Sequence, residues 1–223
     1  MCGRFGLTAN SKEIGRLFSV HNVPEVKPDY NIPPTRGVLG IRSSGKEREA
    51  HLFHWGLIPS WAKDEKIGFK LINARSETVA SKPSFRSAYR TRRMIVPASY
   101  YYEWQKDGKE KTPFLIRLKD AEIFGMAGLW EQWTSPQTGE VIDSCTIITT
   151  DANNATRPVH DRMPVILHTT DFARWLGEEA ADAEALTALL QPYPDKEMEL
   201  YPVTREVGNP RFNLPESMEP VAA

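Results

Sequence analysis

Along the chain, the spacing of apolar residues begins with a helical period and then shortens to that of strands. "NSKEIGRLF" places a polar cap ahead of Ile14, Leu17 and Phe18, the i, i+3, i+4 spacing that gathers apolar side chains on one helical face. The prolines of the next stretch, "VPEVKPDYNIPPTRG", exclude regular helix there. Short apolar or β-branched runs then predict strands in "GVLGIR", "EAHLFHWGL", "RRMIVPA", "TPFLIRL", "EIFGMAGLWEQW", "SCTIITT" and "MELYPVT". Asp107-Gly108 in "KDGKEK" marks a hairpin turn. Helical spacing returns in "TTDFARWLG" and "DAEALTALLQ". Strands in the middle with helices towards the ends predict an α+β fold: a single domain with a curved, mainly antiparallel sheet or barrel-like core and peripheral helices.

Composition narrows the class without naming a function. The 223 residues suffice for one substantial core, and 40% apolar with 26% charged residues is ordinary for a globular chain. A net charge of −1 demands neither a nucleic acid nor a membrane partner for the molecule as a whole. The total hides a dipole. Lys82, Arg86, Arg90, Arg92 and Arg93 stand in "KPSFRSAYRTRR" with no acid, a local +5, whereas Asp182 to Glu206 carries a local −4. Such a basic run reads either as a solvated face or as a phosphate-binding patch. Phe85 and Tyr89 within it, and Trp55 and Trp61 upstream, add rings able to stack on unpaired bases. No apolar run reaches the roughly 18 residues of a membrane helix, and no signal-peptide pattern opens the chain, so a cytoplasmic, reducing location is expected. Two cysteines make no disulfide framework, and Cys145, in the β-branched run, reads as a buried thiol.

Cys2 has an option that Cys145 lacks. A small residue at position 2 favours removal of the initiator methionine, which would place a free α-amine on the residue that carries the thiol. Such a 1,2-aminothiol condenses with an aldehyde to an imine, and the thiol then closes a five-membered thiazolidine. With a reference pKa of about 7.7 to 8.0, part of an α-amine is neutral nucleophile near pH 7. The plainer reading is a small hydrophobe at the start of a strand.

Four other stretches combine polar chemistry with strand-like context. Asn73, in "LINARSET", can orient an amine or cap a turn. Glu103, between aromatics in "YYYEWQK", is either desolvated with a raised pKa, as a proton shuttle requires, or turned to solvent. His160, in "PVHDRMPVIL", is a general acid or base, or a structural ring held by Asp161. His51 and His54 in "HLFHWG" lack a second ligand pair and read as structural; no metal and no cofactor are expected.

In order, "MCGRF", "YNIPPT", "HWGLIPSW", "LINARSET", "VPASYYYEW", "HDRMPVIL" and "VTREVGN" resemble the SRAP domain of the SOS-response-associated peptidase family, whose members shield abasic sites. The resemblance spans Cys2 to about Asn209, with residues 1–215 expected as the domain and 216–223 as a short tail. It implies that processed Cys2 captures the ring-opened aldehyde of an abasic site in single-stranded DNA as a thiazolidine crosslink. By the same resemblance Asn73 positions the amine, Glu103 shuttles protons and His160 acts on the sugar oxygen. Arg4, Arg75 and Arg162 are its phosphate contacts, to which the basic run adds Phe85, Arg86 and Arg90, with Trp61 upstream. A monomer, with lyase and autoproteolytic side activities, is expected. One departure stands out: Ser99-Tyr100 occupies a position where many relatives carry Asp-Gly, so the turn before Glu103 is expected to differ. The rival readings are an N-terminal-nucleophile amidotransferase, a cysteine peptidase, and a non-covalent single-strand DNA binder.

Overall fold

A computed structural model of the chain describes residues 2–45 and 47–221. Its strands are β1 (Phe5–Leu7), β2 (Asp29–Ile32), β3 (Gly37–Ser43), β4 (Arg48–Trp55), β5 (Asn73–Arg75), β6 (Arg93–Ala98) and β7 (Tyr100–Asp107). They continue as β8 (Glu110–Leu118), β9 (Phe124–Thr134), β10 (Val141–Asp151), β11 (Arg162–Pro164), β12 (Ile166–Leu167) and β13 (Met198–Pro202). The helices are α1 (Ser11–Phe18), α2 (Arg86–Thr91), α3 (Phe172–Leu176) and α4 (Ala183–Ala188).

The larger sheet closes on itself. From β10 it runs through β4, β3, β6 and β9 and returns to β10, and all but the β10–β4 pairing are antiparallel. This is the α+β, barrel-cored domain that the strand pattern predicts. β-Branched residues make the barrel possible: in "SCTIITT" the alternating side chains are buried on both faces, and Cys145 is among them, fully covered. Beyond the ring, β10 carries β5 on one edge and β11 on the other, through Ile147↔Asn73 and Asp151↔Arg162. The second sheet, ordered β13-β8-β7-β1-β2, packs against the barrel, and its β7–β8 turn contains the expected Gly108, at φ +57°.

Helix α1 starts where the cap predicts. Asn10 Oδ1 accepts from the backbone N–H groups of Lys12 and Glu13, and Glu13 Oε2 accepts from the Asn10 N–H at 2.9 Å. Its buried face brings Phe18 onto Phe172 of α3, with ring centroids 5.2 Å apart. The segment expected as a tail is part of the fold as far as Val221: Ser217 is buried, its carbonyl accepts from the Tyr102 hydroxyl, and Val203 bridges Pro220.

The departure at Ser99-Tyr100 has a local solution. Tyr100 has an ordinary negative φ, so no left-handed residue is required between β6 and β7. The large ring is admitted instead by Gly6 on β1, where a Cβ would stand 2.3 Å from the Tyr100 ring. Gly6→Ala should therefore cost more than the usual 1–3 kcal/mol of overpacking, and the cost should drop in a Tyr100→Ala background. Denaturant unfolding of the double-mutant cycle checks this; a coupling near zero would remove the packing explanation.

Candidate active site

Cys2 leads into β1, a strand hydrogen-bonded to β2 on one side and β7 on the other, and the residue has no exposed surface. Across from it, β7 alternates. Tyr101 and Glu103 share the face that meets Cys2, while Tyr100 and Tyr102 lie on the opposite face and donate their hydroxyls to the Tyr30 carbonyl at 3.1 and 3.0 Å. Tyr101 and Glu103 are respectively 0% and 4% exposed. The triplet "YYY" thus supplies a bonded pair on one side and a site residue on the other.

Burial sets the electrostatics. It raises the Glu103 carboxyl to about 7. The Cys2 thiol is pushed up strongly, first by burial and then by the neighbouring Glu103, so the sulfur is held as a thiol near neutrality. A carboxyl near 7 can take or give a proton at neutral pH, as the shuttle reading of Glu103 requires.

The end of β10 orders the other candidates by backbone pairing. Residues 147–151 of β10 carry Asn73 and Arg75 along one edge and Arg162 on the other. Asn73 donates through Nδ2 to the Ile147 carbonyl at 3.4 Å, and its Oδ1 is buried with no hydrogen-bond partner. The Tyr101 hydroxyl is likewise buried and unpartnered. Orphaned polar atoms of this kind cost about 1–3 kcal/mol each, and Thr78, Tyr89 and Thr146 carry them as well, so position beside Cys2 and Glu103 is what singles out Tyr101. His160 Nδ1 receives the Arg162 backbone N–H at 3.0 Å and lies 2.8 Å from Asp161 Oδ1. Burial lowers its pKa, with Asp161 acting in the other direction, so the ring is mainly neutral at pH 7.

The expected DNA-contacting residues divide by exposure. Arg75, Arg86 and Arg90 are exposed, as is Trp61 at 59%. Phe85 is not available for stacking: it is 2% exposed and packed in the main core, because α2 turns that edge inward. Arg162 is also committed, to Glu77 and Asp151 at 2.5 and 2.6 Å and to the Thr149 carbonyl at 2.7 Å. Its visible role is to hold His160 through its backbone and the two acids through its side chain. Arg4 donates to Asn31 Oδ1 and the Val207 carbonyl, both at 2.8 Å, and its guanidinium lies 5.9 Å from the Trp104 ring. Arg92 and Arg93 in the basic run are occupied by Glu131 and by the carbonyls of Tyr89, Arg90 and Trp175.

Sequence reasoning misses Phe69. It is 60% exposed on a 3-10 turn, Glu65–Lys70, that also bears exposed Lys66 and Lys70, in the β4–β5 connection that holds Trp61 and Lys63 and leads into Asn73. Its base is pinned where Gly56, at φ +140°, approaches Gly68 so closely that a Cβ would meet the Gly68 carbonyl oxygen at 2.8 Å. The available signal is an aromatic residue flanked by lysines at i−3 and i+1. Removal of Met1 lies outside the described residues. Among the described residues there is no cluster of His, Cys, Asp and Glu fit to hold a metal, and no helix is long and apolar enough to cross a membrane.

The sequence model of the SOS response associated peptidase (SRAP) family matches residues 1–210. The chain is 44% identical to the abasic site processing protein YoqW of Bacillus subtilis (strain 168), over 98% of this chain and 99% of that protein. Identity to the abasic site processing protein YedK of Escherichia coli (strain K12) is 30%, over 99% and 100%. The crystal structure of a protein from Bacteroides thetaiotaomicron superposes with a TM-score of 0.91 at 29% identity, covering 99% of this chain and all of that one.

The Glu103 carboxyl makes a pH prediction. Because its pKa is raised on folding, the folded state holds that proton more tightly; the contribution is complete below the ordinary value of 4.5 and is lost as pH rises through about 7. The stability of the wild type relative to Glu103→Gln should therefore fall by about 1.4 kcal/mol per pH unit across that window. Chemical denaturation at a series of pH values measures it, and a pH-independent difference would show an ordinary carboxylate.

Proposed function

The chain belongs to the SOS response associated peptidase family, and from that premise we propose that it captures abasic sites in single-stranded DNA as a thiazolidine through the amine and thiol of Cys2. The observation that carries this reading is a fully buried Cys2 facing a carboxyl with a pKa of about 7.

The chemistry proceeds amine first. After Met1 is removed, Glu103 takes a proton from the Cys2 ammonium, and the neutral amine attacks the aldehyde of the ring-opened sugar. Water leaves to give the imine. The thiol then adds across C=N: a C–S bond forms, the π pair passes to nitrogen, and the sulfur proton is returned to nitrogen by way of Glu103. Asn73 Oδ1, buried and unpartnered, suits the amine as an acceptor, and neutral His160 suits exchange of a proton with the sugar oxygen.

Two features favour this order over the hydrolase readings. A peptidase or amidotransferase attacks first with sulfur and needs thiolate, whereas burial and Glu103 both hold this sulfur protonated. Second, exposed Trp61 and Phe69 with three nearby lysines form a surface for unpaired bases and their phosphates, beside the strand that carries Asn73. Exposed Arg75, Arg86 and Arg90 extend the basic surface in this reading.

The test is to incubate the processed protein with single-stranded DNA containing an abasic site and to look for an adduct that survives denaturation without reductant. Wild type should form it. Cys2→Ser should give only an imine trapped by borohydride, and Trp61→Ala with Phe69→Ala should weaken non-covalent binding by about 1–3 kcal/mol per lost stack. A reductant-independent adduct unchanged in Cys2→Ser would overturn the thiazolidine, and salt-sensitive binding with no covalent product would leave a simple binder.

A further inference from the structure

We propose that Tyr101 is a positioning residue of this site, its hydroxyl donating a hydrogen bond to the Cys2 sulfur as the thiol closes the ring. The inference rests on the reading of Cys2 given above.

Three observations carry it. Tyr101 lies two residues from Glu103 on β7, so both side chains project from the same face, and it joins Cys2 in one buried cluster. Its hydroxyl is fully buried with no hydrogen-bond partner, whereas both neighbours in the triplet, Tyr100 and Tyr102, have theirs bonded to the Tyr30 carbonyl. Thr156 is the polar side chain that approaches it, without completing a hydrogen bond, and Thr156 gives its own hydroxyl proton to Asn153 Oδ1 at 3.0 Å. A phenylalanine would fill the same space without burying an unsatisfied donor, so the hydroxyl lowers the stability of the resting fold.

What the hydroxyl can do follows from the charge that develops beside it. During closure, the C–S bond forms as the S–H bond breaks, and negative charge resides briefly on a sulfur with no access to water. A hydrogen bond to a charged acceptor is roughly twice as strong as one to a neutral acceptor, so a donor held here gains strength when charge appears. Burial first, then Cys2 and Glu103, raise the phenol pKa against a smaller opposing effect of the nearby Thr156 hydroxyl, so Tyr101 keeps its proton and serves as a donor throughout. The proton released by sulfur still travels to nitrogen through Glu103, and no other reactant is needed.

Tyr101→Phe separates this role from a packing role. With abasic single-stranded DNA, borohydride trapping at short times reports the imine, and the reductant-independent adduct reports closure. The variant should form imine at the wild-type rate, close the ring at least ten-fold more slowly, and melt at the same temperature as wild type or higher. Closure at the wild-type rate would overturn the proposal, as would a lowered melting temperature with both steps slowed equally. Wild type that forms no adduct would overturn the reading of Cys2 and this proposal together, so the two failures are distinguishable.

Discussion

A three-residue strand hydrogen-bonded along both edges holds the site together. Phe5–Leu7 pairs with Asp29–Ile32 on one side and with Tyr100–Asp107 on the other, and that double pairing draws the residue at position 2 out of solvent. Chain termini usually fray because few bonds tie them down. Here the beginning of the chain is an inner strand, and Gly6 gives up its side chain so that Tyr100 can pack across it. The buried thiol, the displaced pKa of Glu103 and the isolation of Tyr101 all follow from that placement.

The neighbouring barrel fixes the other half of the proposed site by register. Once β9 pairs with β10 and closes the ring, the far end of β10 is left with two free edges, and β5 and β11 take them. Asn73 and the segment bearing His160 are thereby located by backbone hydrogen bonds, while Arg162 ties β11 to Glu77 and Asp151. Asn73 lies on the short strand β5, Glu103 on the inner strand β7 and His160 just ahead of β11, so each is tied to paired backbone that leaves it little freedom.

Much of this was legible in the sequence. Long β-branched runs such as "SCTIITT" and the capped repeat "NSKEIGRLF" carry their own local preferences, and the structure follows them. Strand β1 was not, since three residues show no period, and its stability comes from two neighbours distant in sequence. Side-chain direction was the other limit. Phe85 and Trp61 look alike as aromatic residues near basic ones, yet α2 buries the first and a glycine-pinned loop exposes the second. Arg162 belongs to a recognisable motif, but its guanidinium is claimed by acids that only the β10 and β5 pairings bring near. In the tyrosine triplet, composition could not tell which hydroxyl would be left without a partner; the alternation of β7 against β1 decides it.

The proposed role of Cys2 concerns one carbon atom and the two bonds it makes to one residue. Carbon-13 NMR of the purified adduct, formed on DNA labelled at the abasic aldehyde carbon, observes that atom directly. A single saturated carbon bonded to both the nitrogen and the sulfur of Cys2 is the predicted result. An unsaturated imine carbon, or a carbon bonded to sulfur and oxygen with no nitrogen, would contradict it.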